Sequence, residues 1–309
     1  MARSLVLLFT SVVAIAELNP AAQAKPLFTF HSNAWLNLHH FARASARGGP
    51  APTNLSDEES RQWSEGVEFY KKYAGRDLLL DAGMVDIKSA LRGAEGKPSL
   101  DGIAIDPALR ATLERLMSIY QRRWWPEHDR ANRAWIAAVQ PLLDRHGVAL
   151  GQALTRTYDS TWPSDPIPVD LSVTAGPNGA YTTGPPTLVT MSSTERGLQG
   201  LASLEMLFHE SSHSAVSNLF PRVRQAAGEH NVSVPPQLWH AVLFYTAGEL
   251  TRRELDTHGV AYSPYAGADL YTNLCGAGCR EKVVEHWTPR LDGRRSVGDS
   301  LSALVASFK

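Results

Sequence analysis

The pattern that most restricts this chain is the run His209-Glu210-Ser211-Ser212-His213, an H-E-x-x-H sequence within a stretch from Glu195 to Asn218 that the spacing predicts to be helical. Helix positions four apart lie one above the other, so the imidazoles of His209 and His213 can reach one ion from one side. Glu210 projects about 100° round from His209, close enough to act on a water held by that ion. Leu201, Leu204, Phe208, Ala215 and Leu219 form a core-facing stripe, while Glu205, His209, Ser212, His213 and Val216 follow another line. Small serines between the histidines leave room for a second element to come close. The competing reading is a surface helix with two solvated histidines.

A catalytic zinc site takes three protein ligands and keeps one position for water. The predicted third ligand is Glu249, which lies in the otherwise apolar stretch Ala241–Leu250, where a carboxylate calls for a cation beside it. Rivals are His240, Glu254, Asp256 and His258. His240 precedes Glu249 by nine residues, half a turn round a helix, so the two cannot face one ion. The plainer account of Glu249 is pairing with Arg252 or Arg253, three and four residues on.

The rest of the chain predicts an α+β fold, mostly helical. Asn33 or Ser32 caps a helix to about Arg47, and Ser56-Asp57-Glu58-Glu59 is a capping box. Further helices are expected from about Leu78 to Arg92, from Pro107 to Arg123, and from Pro126 onward, the last kinked at Pro141 and stopped at Gly147. His39 and His40, being adjacent, point in different directions and read as packed histidines. After Trp162 come short strands, Ile167–Val173, Ala180–Thr183 and Thr187–Met191, and then the motif helix. Pro235-Pro236 opens the helix that carries Glu249, and two more helices close the chain near Glu281 and Leu301. The division expected is 25–160, an N-terminal helical region, and 161–309, the metal-binding region.

Residues 1–24 read as a secretory signal. Arg3 precedes the apolar run Leu5–Ala16, and Ala22-Gln23-Ala24 is a small-x-small cleavage site. The run is too short to span a bilayer, so the mature protein is expected to be exported, without a stable membrane anchor. In that compartment Cys275 and Cys279, the only two cysteines, are expected to pair. A formal net charge of -1 gives nucleic-acid binding no electrostatic support.

With Glu249 downstream of His209-Glu210-x-x-His213, the segment from about 165 to 260 resembles the gluzincin branch of zinc metallopeptidases. The resemblance implies a zincin-like core of small sheet and motif helix. It implies Zn2+ held by His209, His213 and Glu249, with Glu210 as catalytic base and a peptide or protein as substrate. The chain departs from thermolysin-like members, which place an Asp four residues after the acidic ligand. Arg253 stands there, so Glu205, Glu254 or Asp256 would have to orient a zinc histidine. Tyr245, His240, His258, Tyr262 and Tyr265 are candidates to stabilise charge on the substrate carbonyl oxygen. Two alternatives stand beside the peptidase. One is a zinc hydrolase of a non-peptide envelope amide or ester, the other a non-catalytic envelope protein whose closed zinc site stabilises the fold.

Overall fold

Apolar and polar residues alternate along Ile167-Pro-Val-Asp-Leu-Ser172, which gives this strand two different faces to bury. In the computed structural model, which describes residues 25–49 and 53–309, it is β2 of a four-stranded sheet. Strands β1 (Phe28–His31) and β4 (Leu188–Ser192) flank it, both parallel, and β3 (Ala180–Thr183) runs antiparallel to β4 at the edge. Register sets Val169 opposite Val189 and Leu171 opposite Met191. These four side chains are buried in one cluster with Leu204, Leu207 and Phe208 of α6 (Leu201–Ser211).

The other face is polar and meets the N-terminal helices α1 (Ala34–Ala46) and α3 (Ala82–Arg92), while α2 (Asp57–Ala74) and α4 (Pro107–Arg123) pack on α1. Lys88 of α3 donates to Thr183 Oγ1 at 3.1 Å and to the Leu188 carbonyl at 2.9 Å. Arg92 lies 3.3 Å from buried Asp170, and Asn37 of α1 donates to the Leu171 carbonyl. Thus the N-terminal helices back the sheet, and the motif helix covers its front.

The α+β, mostly helical architecture is the one the sequence predicts. Local signals explain the helix starts: Asn33 accepts from the Trp35 and Leu36 amides, and Ser56 and Glu59 form the reciprocal capping box. Strand β1 was not foreseen, because Phe28–His31 is too short to register before its parallel partner β2, more than a hundred residues on, is in place.

Helix α5 runs from Trp125 to Tyr158, through both Pro141 and Gly147, where a stop was expected. At Gly147 an added Cβ would meet the Leu27 side chain at 3.4 Å, an ordinary packing contact, so the approach to the N-terminal strand packs against this point of the helix. Burial of Trp135, Val139, Leu150 and Leu154 then carries the helix past its weak point. Those residues share the core of α6, α7 (Leu219–His230) and α8 (Leu238–Thr257), whereas α1 to α4 surround a second core. The apolar core is therefore not divided at residue 160.

Helices α9 (Ala268–Cys275), α10 (Cys279–Leu291) and α11 (Val297–Ala306) end the chain, and a Cys275–Cys279 disulfide closes the turn between α9 and α10. The expected export signal, residues 1–24, lies outside the described residues, as do 50–52.

His39 and His40 are buried at 1 % and 3 % exposure, bonded to the hydroxyls of Tyr70 and Tyr181. Burial, helped by nearby Arg43, lowers the His39 pKa from 6.5 to about 3. The unfolded chain binds a proton there that the folded chain refuses. Stability present above pH 6.5 is therefore lost progressively as pH falls toward 3. A His39→Gln variant is expected to lose less stability than wild type between pH 7 and pH 5, by about 2 kcal/mol. Denaturant midpoints measured across that range check this, and parallel curves would refute it.

Candidate metal centre

Helix α6 begins at Gly200, whose φ of +57° breaks the chain away from the 3-10 turn Arg196–Leu198. The continuous helix expected from Glu195 to Asn218 is thus three pieces: that turn, α6, and a π-helical turn at Ser212–Val216. The serines of the motif account for the widening. Ser211 Oγ donates to the Leu207 carbonyl at 2.6 Å and Ser212 Oγ to the Phe208 carbonyl at 2.7 Å. Such bonds to the preceding turn compete with the backbone ladder and bend helices. Both serines are fully buried, as the room between the histidines requires.

His213 lies in this π turn, with its Nε2 3.2 Å from His209 Nε2. The third nitrogen is supplied by His240 in the first turn of α8, also 3.2 Å from His209 Nε2. Rings on both sides hold the imidazoles. Phe244, one turn after His240, stacks on His209 at 3.9 Å between centroids, and Trp239 stacks on His240 at 5.1 Å.

Glu249, the predicted third ligand, is not in this group. Its carboxylate takes bidentate bonds from Arg252 at 2.8 Å and one from Arg253 at 2.7 Å. Burial acts to raise its pKa, but the two arginines outweigh it and hold the carboxyl below the usual range. The cation that a half-buried carboxylate needs is thus supplied by its own helix. Since His240 and Glu249 are half a turn apart, the face of α8 that brings one to the motif turns the other away.

Three converging Nε2 atoms need an explanation. A ring nitrogen carries either one proton or one in-plane lone pair, so His209 Nε2 cannot bond both neighbours. A tetrahedral ion at the usual Zn–N length sets its ligand nitrogens about 3.3 Å apart, which is the spacing found. Burial favours the neutral form of two of the donors: it lowers the His209 pKa well below 6.5 and that of His240 to about 3, with His213 adding to both. Among the described residues this group contains three ligand-type side chains and no fourth, the number a catalytic zinc site takes from the protein.

Glu210 is 4 % exposed, and Thr182 of edge strand β3 sets its direction. Thr182 Oγ1 lies 2.6 Å from Glu210 Oε2 and 3.0 Å from the Glu210 carbonyl oxygen. Burial raises the carboxyl's pKa, offset in part by His213, the Thr182 hydroxyl and Lys88 behind the sheet.

Of the orienting carboxylates considered, Glu254 is engaged by His146 and His258, and Asp256 is exposed. Glu205 remains. It is fully buried, its Oε2 accepts from Tyr262 Oη at 2.6 Å and the Tyr265 amide at 2.9 Å, and burial raises its pKa to about 7. Its Oε1 has no partner, and neither does His209 Nδ1 one helical turn away. Metal on Nε2 puts the proton on Nδ1, which then calls for an acceptor such as this one.

The remaining candidates separate by position. Tyr245 is bonded to Thr288, and Tyr262 to Glu205. The Tyr265 ring lies parallel to Phe244 at 6.2 Å and is partly exposed, with Glu205 and Glu210 among the charges acting on its hydroxyl. No family model matches the chain, and neither a curated protein nor a solved structure matches it.

Proposed function

We propose that the protein is an exported zinc-dependent hydrolase, a metallopeptidase, working at His209, His213 and His240 with Glu210 as its base. The observation that carries this reading is the three-nitrogen group with a buried carboxylate beside it, aimed from the neighbouring edge strand. When bound there, zinc supplies a Lewis acid and lowers the pKa of water to about 7. Glu210 takes the proton of the attacking water and returns it to the leaving amine. Thr182 holds the carboxylate in one orientation for both transfers, which removes the entropy of aiming it. Tyr265, stacked on the Phe244 ring that itself stacks on His209, is the donor we assign to the substrate carbonyl oxygen as charge builds there. The histidine triad replaces the acidic ligand that distinguishes a gluzincin, while the peptidase chemistry expected of H-E-x-x-H is kept.

The test is hydrolysis of a mixed peptide library beside cell-wall fragments and simple esters. Cleavage of peptide bonds, abolished by a chelator and restored by Zn2+, is the expected result. Zinc-dependent cleavage confined to non-peptide amides or esters would move the assignment to that substrate class. No zinc-dependent cleavage of any of them would leave a stabilising metal site.

A further inference from the structure

A second group of ligand-type side chains stands away from the motif, at the far end of α8. Glu254 and His258 are four apart and so share one face. His146, from the middle of α5, comes across to meet them and is buried at 2 % exposure. His146 Nδ1 is 3.1 Å and His258 Nε2 3.2 Å from the same oxygen, Glu254 Oε1, and the two rings are 4.8 Å apart at 74°. We infer that His146, Glu254 and His258 form a second divalent transition-metal site, which clamps the end of α8 onto α5.

Glu249 of the same helix is neutralised by Arg252 and Arg253, and nearby Asp292, at the end of α10, by Arg253 and Arg294. Glu254 follows directly after those two arginines in the chain, yet its ion-pair partners are both histidines. An imidazole is a good ligand for zinc, nickel or copper, which an arginine guanidinium is not. Both nitrogen-to-oxygen distances match the edge of about 3.3 Å that a tetrahedral ion imposes on its ligands. His258 is exposed, with 43 % of its side chain open to solvent, so water can complete the coordination and the ion can exchange. Fourteen residues of helix, about 21 Å, separate Glu254 from His240, so the two sites load independently.

Calorimetric titration of metal-free protein with Zn2+ tests the inference. Wild type is expected to take up two equivalents, with the weaker lost in His258→Ala, a surface change that leaves folding intact. A His209→Ala, His213→Ala variant isolates the second site. It should keep one equivalent, and Zn2+ should raise its melting temperature; adding His258→Ala should remove both effects. Retention of the same stoichiometry and the same zinc-dependent melting shift in His258→Ala would overturn the second site. So would a single equivalent in wild type that vanishes with the motif histidines. Neither result depends on whether the first site catalyses hydrolysis.

Discussion

Purified His240→Ala is expected to lose the ion of the motif site, while Glu249→Ala keeps it. In His240→Ala two nitrogens remain on one helix and no third group stands in reach among the ligand-type residues of the site. Losing even an outer-shell partner costs 10–100-fold in metal affinity, so losing one of three direct ligands is expected to cost at least about 100-fold. Glu249→Ala instead leaves Arg252 and Arg253 without their shared carboxylate, and Arg253 still has Asp292. That change is expected to lower stability by about 1 kcal/mol and leave metal content at this site unchanged. Elemental analysis and zinc titration of the two variants in a His258→Ala background report on this site alone. The opposite pattern, with zinc kept in His240→Ala and lost in Glu249→Ala, would return the third place to the acidic residue.

Glu210→Gln is expected to hydrolyse substrate slower by on the order of 10²–10⁴, with zinc retained. The amide has the shape of the carboxylate, and its oxygen can still accept from Thr182, so position is conserved and only proton acceptance is lost. Because Glu210 lies outside the nitrogen group, its replacement leaves the ligands unchanged. Unaltered turnover in that variant would remove the assigned base, and loss of zinc would make Glu210 a ligand.

The two motif histidines and the carboxylate between them were legible because helical spacing is a local property: five residues suffice to align them. The caps at Asn33 and Ser56 and the strand Ala180–Thr183 were legible for the same reason. The third nitrogen was not. His240 and Glu249 sit on one helix with comparable local surroundings, and periodicity says only that one of them can face the motif histidines. Which one does depends on where α8 crosses α6, set by Phe244 stacking on His209 and by the buried residues Leu238, Ala241 and Val242. The apolar company of Glu249 pointed to a cation beside it, and that cation proved to be two arginines already present in the sequence.

The sequence by itself determined the α+β class and a set of two imidazoles and a carboxylate within five residues, because residue type and helical period need no distant partner. Only the tertiary structure decided which residue completes the group, that Thr182 aims Glu210, and that β1 joins the sheet from more than a hundred residues away. Each of these is a contact between elements distant in sequence, chosen by the packing of whole faces against one another, and no short window of residues contains that choice.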